Sequence, residues 1–242
     1  MRLIYNIYLV DDMQMLILAG GLGTRLGSLT KDLPKSLITI QGKPFLEYQL
    51  EFLKKQGIKD IVLCVGHLGT QIKERFGDGS SFDVDIRYSI EDKLLGTAGA
   101  IKKAEPMLDD VFFTMYGDCY LFLDFNDIMR FFDRNNRLAL MTVYKNHNLY
   151  DRSNTAIGDN LVKKYSKTDV TPDLVYIDYG VNVFRKQALG LIPENQCYSL
   201  EALFPKLIQA NEFLAYEVRE RFYEIGSLHG MTEFADYIEG RQ

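Results

Sequence analysis

Gly20, Gly21 and Gly23 belong to a stretch, opening at Leu18, that directly follows the apolar run Met15-Leu16-Ile17, with Arg25 and Lys35 shortly after. A short apolar run of that kind reads as a buried strand. Glycines just past a strand end let the backbone come close to a ligand and turn its N–H groups toward it. Arg25, closing Leu18-Ala19-Gly20-Gly21-Leu22-Gly23-Thr24-Arg25, and Lys35, in Pro34-Lys35-Ser36-Leu37, add full positive charge suited to phosphate oxygens. The ligand implied is a nucleoside triphosphate. A P-loop is excluded, because it needs lysine and Ser/Thr directly after its last glycine, whereas Lys35 lies far beyond Gly23 and follows a proline. A dinucleotide fingerprint fails too, because Leu26 stands where its third glycine belongs.

This pattern resembles the signature of the sugar-1-phosphate nucleotidyltransferases, which join a nucleoside triphosphate to a sugar 1-phosphate and release pyrophosphate. The resemblance runs from about Met13 to about Tyr237. It implies that Leu18, Ala19, Gly20, Gly21, Gly23 and Thr24 wrap the nucleotide, with Arg25 and Lys35 on its phosphates.

Tyr116-Gly117-Asp118 follows the apolar run Val111–Met115. An aspartate at the mouth of a parallel sheet, preceded by a glycine, is placed to hold a divalent cation. Its counterpart is Glu224, in Tyr223-Glu224-Ile225-Gly226. That tetrad resembles the family's second acidic site, which more often carries the shorter aspartate. Mg2+ between Asp118 and Glu224 would neutralise and orient two polyanions during in-line attack on the α-phosphorus. The attacking phosphate is already deprotonated, so no side-chain nucleophile or general base is needed. His67, His147 and His229 are accordingly isolated from one another and read as packing or surface residues.

Glu91-Asp92-Lys93-Leu94-Leu95-Gly96-Thr97-Ala98-Gly99-Ala100 resembles the family segment that contacts base and ribose before entering a helix. Glu91 and the backbone at Gly96 and Gly117 join the nucleotide site on this reading, and Thr97 is expected to cap the helix start. On the acceptor side, Lys167 takes the position of the family lysine that binds the sugar phosphate, with Ser166 in place of glutamate; Lys163 or Lys164 takes that part if the register slips. Tyr176-Ile177-Asp178-Tyr179-Gly180-Val181 resembles the sugar-contacting stretch, with Gly180 acting through its backbone and Asp178 and Asn182 adding hydrogen bonds. Val65-Gly66-His67-Leu68, Phe76-Gly77-Asp78-Gly79 and Leu95–Ala100 are most similar to the heptose- and mannose-1-phosphate guanylyltransferases. That likeness implies GTP and a manno-heptose 1-phosphate. Uridylyl or cytidylyl transfer to another phosphorylated acceptor, or a catalytically silent regulatory subunit, are the alternatives. A glycosyltransferase would carry Asp-x-Asp, but residue 116 is tyrosine.

These residues need a scaffold, and the periodicity supplies one. Phe45, Tyr48, Phe52 and Leu53 share one face of a helix that Gly57 closes. Strands are expected at 61–65, 84–89, 111–115 and 138–144, alternating with helices at 69–76, 96–104 and 125–135. Alternation at this spacing predicts an α/β fold: a single Rossmann-like domain with a mostly parallel sheet, mixed at one edge, flanked by helices. Beyond Tyr144 shorter strands are expected at 161–165, 174–177, 181–184, 213–218 and 222–225, with helices at 200–209 and 232–238. The domain is taken as residues 13–242, its nucleotide part about 13–145 and its acceptor-sugar part about 146–242, after an extension of residues 1–12 without an assigned role.

Composition sets the outer bounds. The 242-residue chain has 47% hydrophobic and 25% charged residues, as an ordinary globular protein does. A net charge of −5 without a basic run excludes a general nucleic-acid binder. No apolar stretch approaches the length of about 18 residues that a membrane span needs. Cys64, Cys119 and Cys197 form no Cys-x-x-Cys pair, which disfavours zinc or a disulfide framework and fits a cytoplasmic protein. Several members of the family form dimers or tetramers, so a homo-oligomer is a further expectation. With Gln242 as its last residue, the sequence is not expected to carry the β-helix domain that some relatives append.

Overall fold

The computed structural model describes residues 13–21, 23–169 and 171–240. The expected extension at residues 1–12 and Leu22 of the glycine-rich loop lie outside the described residues. In chain order, β1 (Gln14–Leu18) leads through 3-10 segments at Thr24–Thr30 and Lys35–Leu37, then a small hairpin of β2 (Thr39–Ile40) and β3 (Lys43–Pro44), into α1 (Phe45–Lys55). Then come β4 (Asp60–Val65), α2 (Gly69–Phe76), β5 (Asp85–Ile90), α3 (Gly96–Ala104) and β6 (Val111–Tyr116). β7 (Cys119–Tyr120), α4 (Phe125–Asn135) and β8 (Ala139–Lys145) complete the first half. The second half holds β9 (Thr155–Gly158), β10 (Leu161–Tyr165), β11 (Tyr176–Arg185), α5 (Leu200–Gln209), β12 (Phe213–Val218), β13 (Tyr223–Glu224) and α6 (Leu228–Glu239).

The main sheet has the order β5-β4-β1-β6-β11-β8-β12-β10-β9. Its residues alternate between two buried faces. Met15, Ile17, Phe113 and Met115 pack with α1, α2 and α4 through Leu46, Leu50, Ile72, Phe125 and Phe132. Leu16 and Phe112 face the other way, onto Ile101 of α3 and Leu203, Phe204 and Leu207 of α5. Burial on both faces is why these strands read as continuous apolar runs. A third cluster sets Phe234 of α6 against Phe45, Tyr48 and Tyr120 beneath the β7–β13 pair.

The mostly parallel Rossmann-like sheet is overturned. Parallel pairing holds from β5 through β4 and β1 to β6. β11 then enters antiparallel to both β6 and β8, in the middle of the sheet and not at an edge. β12 runs parallel to β8, β10 is antiparallel to β12 and β9, and β9 also pairs antiparallel with β11. These contacts close β11, β8, β12, β10 and β9 into a five-stranded ring of mostly antiparallel pairs. Ile177, Val181, Val183 and Phe184 of β11 are buried, and a run buried on both faces reads alike in either direction. Direction follows from the path of the chain, which passes through β9 and β10 between β8 and β11 and which periodicity does not report.

Two local expectations change as well. The strands expected at 174–177 and 181–184 are one strand, β11, whose register with β8 shifts between Asp178 and Asn182. Such a bulge re-aims side chains, here next to Gly180. Thr97 does not cap α3: Leu95 holds the N-cap position and makes no side-chain cap bond.

Candidate active site

Ligands of open α/β sheets sit beyond the carboxyl ends of the strands. Leu18 and Tyr116, at the ends of adjacent β1 and β6, pair directly, so the loops leaving these strands start side by side. They cross closely: Gly117 N donates to the Leu18 carbonyl at 3.0 Å. A Cβ at residue 117 would lie 2.7 Å from that oxygen, so only glycine fits. Between the loops opens a cleft of about 360 Å³.

Every nucleotide-site candidate with a described side chain lines this cleft. The loop after β1 contributes Leu18, Ala19, Gly20, Gly21, Gly23 and Thr24, with Lys35 further along; the segment leading into α3 contributes Glu91, Gly96 and Thr97, and the loop after β6 contributes Gly117 and Asp118. The side chain of Arg25 lies outside the described residues. Lys35 Nζ stands 2.7 Å from Asp118 Oδ2, with the two side chains 14% and 28% exposed. The Lys35 ammonium at the cleft wall can attract an incoming phosphate, and the Asp118 carboxylate beside it can serve as an oxygen ligand for a divalent cation. The half-buried carboxyl of Glu91 is raised above its ordinary range by burial, partly offset by the bond it accepts from Leu95 N.

Three supports position the Asp118 turn. Gln49 of α1, fully buried, donates to the Tyr116 and Cys119 carbonyls at 3.0 and 2.7 Å. Ile225 N donates to the Asp118 carbonyl, and β13 pairs with β7. Sequence reasoning missed Gln49, although a polar residue one turn after Phe45, on a buried helix face, was the available signal. It also missed Ser36, Leu94, Ala100 and Tyr116, which line the cleft.

Asp118 and Glu224 do not share the cleft. The register sets Glu224 opposite Cys119, but its carboxylate turns into its own loop, accepting from Gly226 N and, at 2.6 Å, from Ser227 Oγ. Among the described residues no three His, Cys, Asp or Glu side chains gather as a metal cage. The donor set nonetheless suits Mg2+, which keeps several waters and takes one or two carboxylates plus substrate phosphates. Asp118 is such a carboxylate at the cleft wall.

The acceptor-side candidates lie around the β11 bulge, next to the cleft. Asp178 accepts from Tyr116 Oη at 2.9 Å and from Gly180 N at 3.0 Å. Burial pushes its carboxyl up to about 6, while those two bonds and nearby Lys167 pull it down. Tyr116 thus belongs to both places, lining the cleft and bonding Asp178. Gly180 packs beside Cys119 and Tyr116. Asn182 is fully buried, and its Oδ1 has no hydrogen-bond partner. Lys167 pairs with Glu201 at 2.6 Å, Lys164 donates to Thr171 and Lys163 pairs with Asp159 at 3.6 Å, so the three lysines point to separate neighbours.

The family model described as nucleotidyl transferase matches residues 14–151, a span holding β1, β6 and both cleft loops. The chain belongs to the nucleotidyl transferase family. It is 38% identical over 177 residues to the D-glycero-alpha-D-manno-heptose 1-phosphate guanylyltransferase of Campylobacter jejuni, covering 73% of this chain and 72% of that one. It is 31% identical over 235 residues to the UTP--glucose-1-phosphate uridylyltransferase of Synechocystis, covering 89% of this chain and 61% of that relative's length. Among solved structures, HddC from Yersinia pseudotuberculosis superposes with a TM-score of 0.82 at 26% identity, over 93% of this chain and 99% of that one. The same protein complexed with GMP-PN gives 0.79 at 25% identity over the same shares. This nucleotidyl transferase is a sugar-1-phosphate nucleotidyltransferase, related to the heptose and mannose guanylyltransferases, and forms a nucleoside diphosphate sugar. Among the described residues no helix is long and apolar enough to cross a membrane.

Proposed function

We propose that this enzyme transfers a guanylyl group from GTP to a sugar 1-phosphate of manno-heptose or mannose type, for cell-surface polysaccharide synthesis. The observation that carries the reading is the Lys35–Asp118 pair set against the glycine backbone in one cleft. Similarity to a heptose guanylyltransferase and to a structure holding GMP-PN supports the guanine and heptose choices. The uridylyl alternative is kept open by the Synechocystis relative.

On this reading Leu18, Ala19, Gly20, Gly21, Gly23 and Thr24, with Arg25 and Lys35, hold the triphosphate, and Glu91, Gly96 and Thr97 border base and ribose. Lys167, Asp178, Gly180 and Asn182 serve the sugar phosphate. An oxygen of the acceptor phosphate bonds to the α-phosphorus, the bond from that phosphorus to the bridging oxygen breaks, and pyrophosphate leaves with the electron pair. No proton need move. Lys35 meets negative charge on the phosphates and so favours the crowded transition state. Asp118 would hold Mg2+, whose chemistry is charge neutralisation of the phosphates. Glu224 would join it only after giving up its bonds to Gly226 and Ser227. Free Cys64, Cys119 and Cys197 agree with a reducing cytoplasm.

The test is pyrophosphate release by the full chain with Mg2+, using GTP, UTP, CTP and dTTP against manno-heptose, mannose and glucose 1-phosphates. GTP with the manno-heptose acceptor is expected to be fastest, and chelation with EDTA to abolish turnover. Faster turnover of UTP or CTP selects the alternative, and no release from any pair rejects the reading.

A further inference from the structure

The backbone ladder between β6 and β11 stops where the site begins. Its last pair is Met115 with Val181, and the β11 residues before Val181 belong to the bulge. There a side-chain bond takes over, as Tyr116 Oη donates to Asp178 Oδ2 at 2.9 Å. The other oxygen of Asp178 accepts from Gly180 N at 3.0 Å, and the Asp178 amide donates to Asn154 Oδ1 at 2.9 Å. Both carboxylate oxygens are thus engaged by this chain. Lys167, whose charge the carboxylate feels, pairs instead with Glu201. A part-buried carboxylate without a paired cation carries a desolvation penalty that a neutral brace would avoid. Such a group points to use in the site. The Tyr116 ring packs against the same bulge: a Cβ at residue 180 would lie 3.4 Å from it, and the φ of +104° there favours glycine.

We propose that Tyr116 and Asp178 are positioning residues whose hydrogen bond sets the spacing between the Gly117-Asp118 turn and the Gly180 bulge. The inference rests on the reading that puts the acceptor phosphate at that bulge. It also changes the part of Asp178, whose carboxylate serves the acceptor through Tyr116 and Gly180 and not by touching it. In-line attack needs the acceptor oxygen about 3–3.5 Å from the α-phosphorus and opposite the leaving oxygen. The turn after β6 lies on the nucleotide side and the bulge on the acceptor side, so their separation sets that approach. Neither side chain exchanges a proton, because the attacking phosphate is already deprotonated. A bond that fixes two substrates relative to one another acts on the chemical step and leaves each substrate its own contacts.

The experiment measures steady-state turnover of Tyr116→Phe, Asp178→Ala, Asp178→Asn and the double variant Tyr116→Phe/Asp178→Ala, with the substrate pair that the wild type turns over fastest. Tyr116→Phe keeps the ring and loses the bond. It is expected to lower kcat by about 10- to 100-fold while KM for nucleotide and for acceptor stays within about twofold. Asp178→Ala is expected to lose at least as much, and the double variant to be no slower than Asp178→Ala, because both changes remove one bond. Asp178→Asn can donate its amide to the Tyr116 hydroxyl while its oxygen accepts from Gly180 N. It is expected to turn over about five- to tenfold faster than Asp178→Ala. Tyr88→Phe, which removes a hydroxyl donating to the Gly77 carbonyl at 2.8 Å, is the control and leaves kcat unchanged. Unaltered kcat in Tyr116→Phe overturns the inference, and so do losses that add in the double variant. A raised acceptor KM at unchanged kcat in Asp178→Asn also overturns it, since the carboxylate would then be a direct ligand of the acceptor. Absence of wild-type turnover with every substrate pair would instead reject the proposed function. Hydrogen exchange then decides the inference by itself: Tyr116→Phe is expected to accelerate the Gly117 and Gly180 amides together, and an unchanged Gly180 amide overturns it.

Discussion

Lys35 and Asp118 lie 83 positions apart in the chain, and their contact concentrates opposite charges at the wall of the cleft. If Lys35 meets charge that develops during transfer, Lys35→Ala lowers kcat/KM by about 10²- to 10³-fold while far-ultraviolet circular dichroism stays native. A loss smaller than tenfold would remove Lys35 from the chemistry. Asp178 makes a different prediction, on stability. Burial raises its carboxyl from the ordinary 3.8 to about 6, so between those values the folded chain keeps a proton that the unfolded chain releases. Stability from this group therefore falls as pH rises from about 4 to about 6, and the penalty persists above that window. Asp178→Asn keeps the acceptor for Gly180 N, turns its amide to the Tyr116 hydroxyl, which can accept from it, and removes the charge. It is expected to gain up to about 3 kcal/mol over wild type at pH 7.5 and nothing below pH 4, read by urea denaturation at both values. Equal differences at the two pH values would contradict this account.

At the scale of elements, the N-terminal ends of α3 and α5 are tied together beside the cleft. Thr97 was legible as a helix-start residue from its place after Gly96, but its hydroxyl serves another helix, accepting from Leu200 N at 2.8 Å. The next residue, Glu201 of α5, holds Lys167, so one helix start touches both the cleft-lining Thr97 and Lys167. Thr97→Val removes the acceptor from a part-buried amide and is expected to cost about 1–2 kcal/mol. Thr97→Ser keeps the oxygen and most of the stability. Hydrogen exchange of the Leu200 amide is the measurement: it accelerates in the valine variant alone, and identical rates in both variants would dissolve the tie. No spacing rule links residues 97 and 200, which is why this bond was not foreseen.

Over the whole molecule, the strands before and after Lys145 share one sheet. β11, from the second half, lies between β6 and β8 of the first and covers a flank of each. A fragment of residues 13–145 would lack β11 and leave strands bearing the fully buried Phe112, Phe113, Leu140 and Met141 as open edges. Such edges template aggregation. The fragment is therefore expected to be aggregated or unfolded in size-exclusion chromatography and circular dichroism. A monomeric fragment with cooperative unfolding would show that the halves are separable.

What the sequence determined by itself was local: the burial pattern of β1, β4 and β6, the faces of α1 and α4, and the gathering of Leu18, Gly20, Gly21, Gly23 and Lys35 at one place, which proves to be the cleft wall. Residue type and period carry that information, because both report which side of an element avoids water. Tertiary structure alone decided the direction of β11, the closure of the five-stranded ring and the support of the Asp118 turn by Gln49. It also decided that Glu224 spends its carboxylate on its own turn and that Tyr116 reaches Asp178. A strand buried on both faces reads the same whichever way it runs, and a polar side chain does not announce its partner. Those outcomes depend on which distant segments fill the remaining space, and the chain states that only once it is packed.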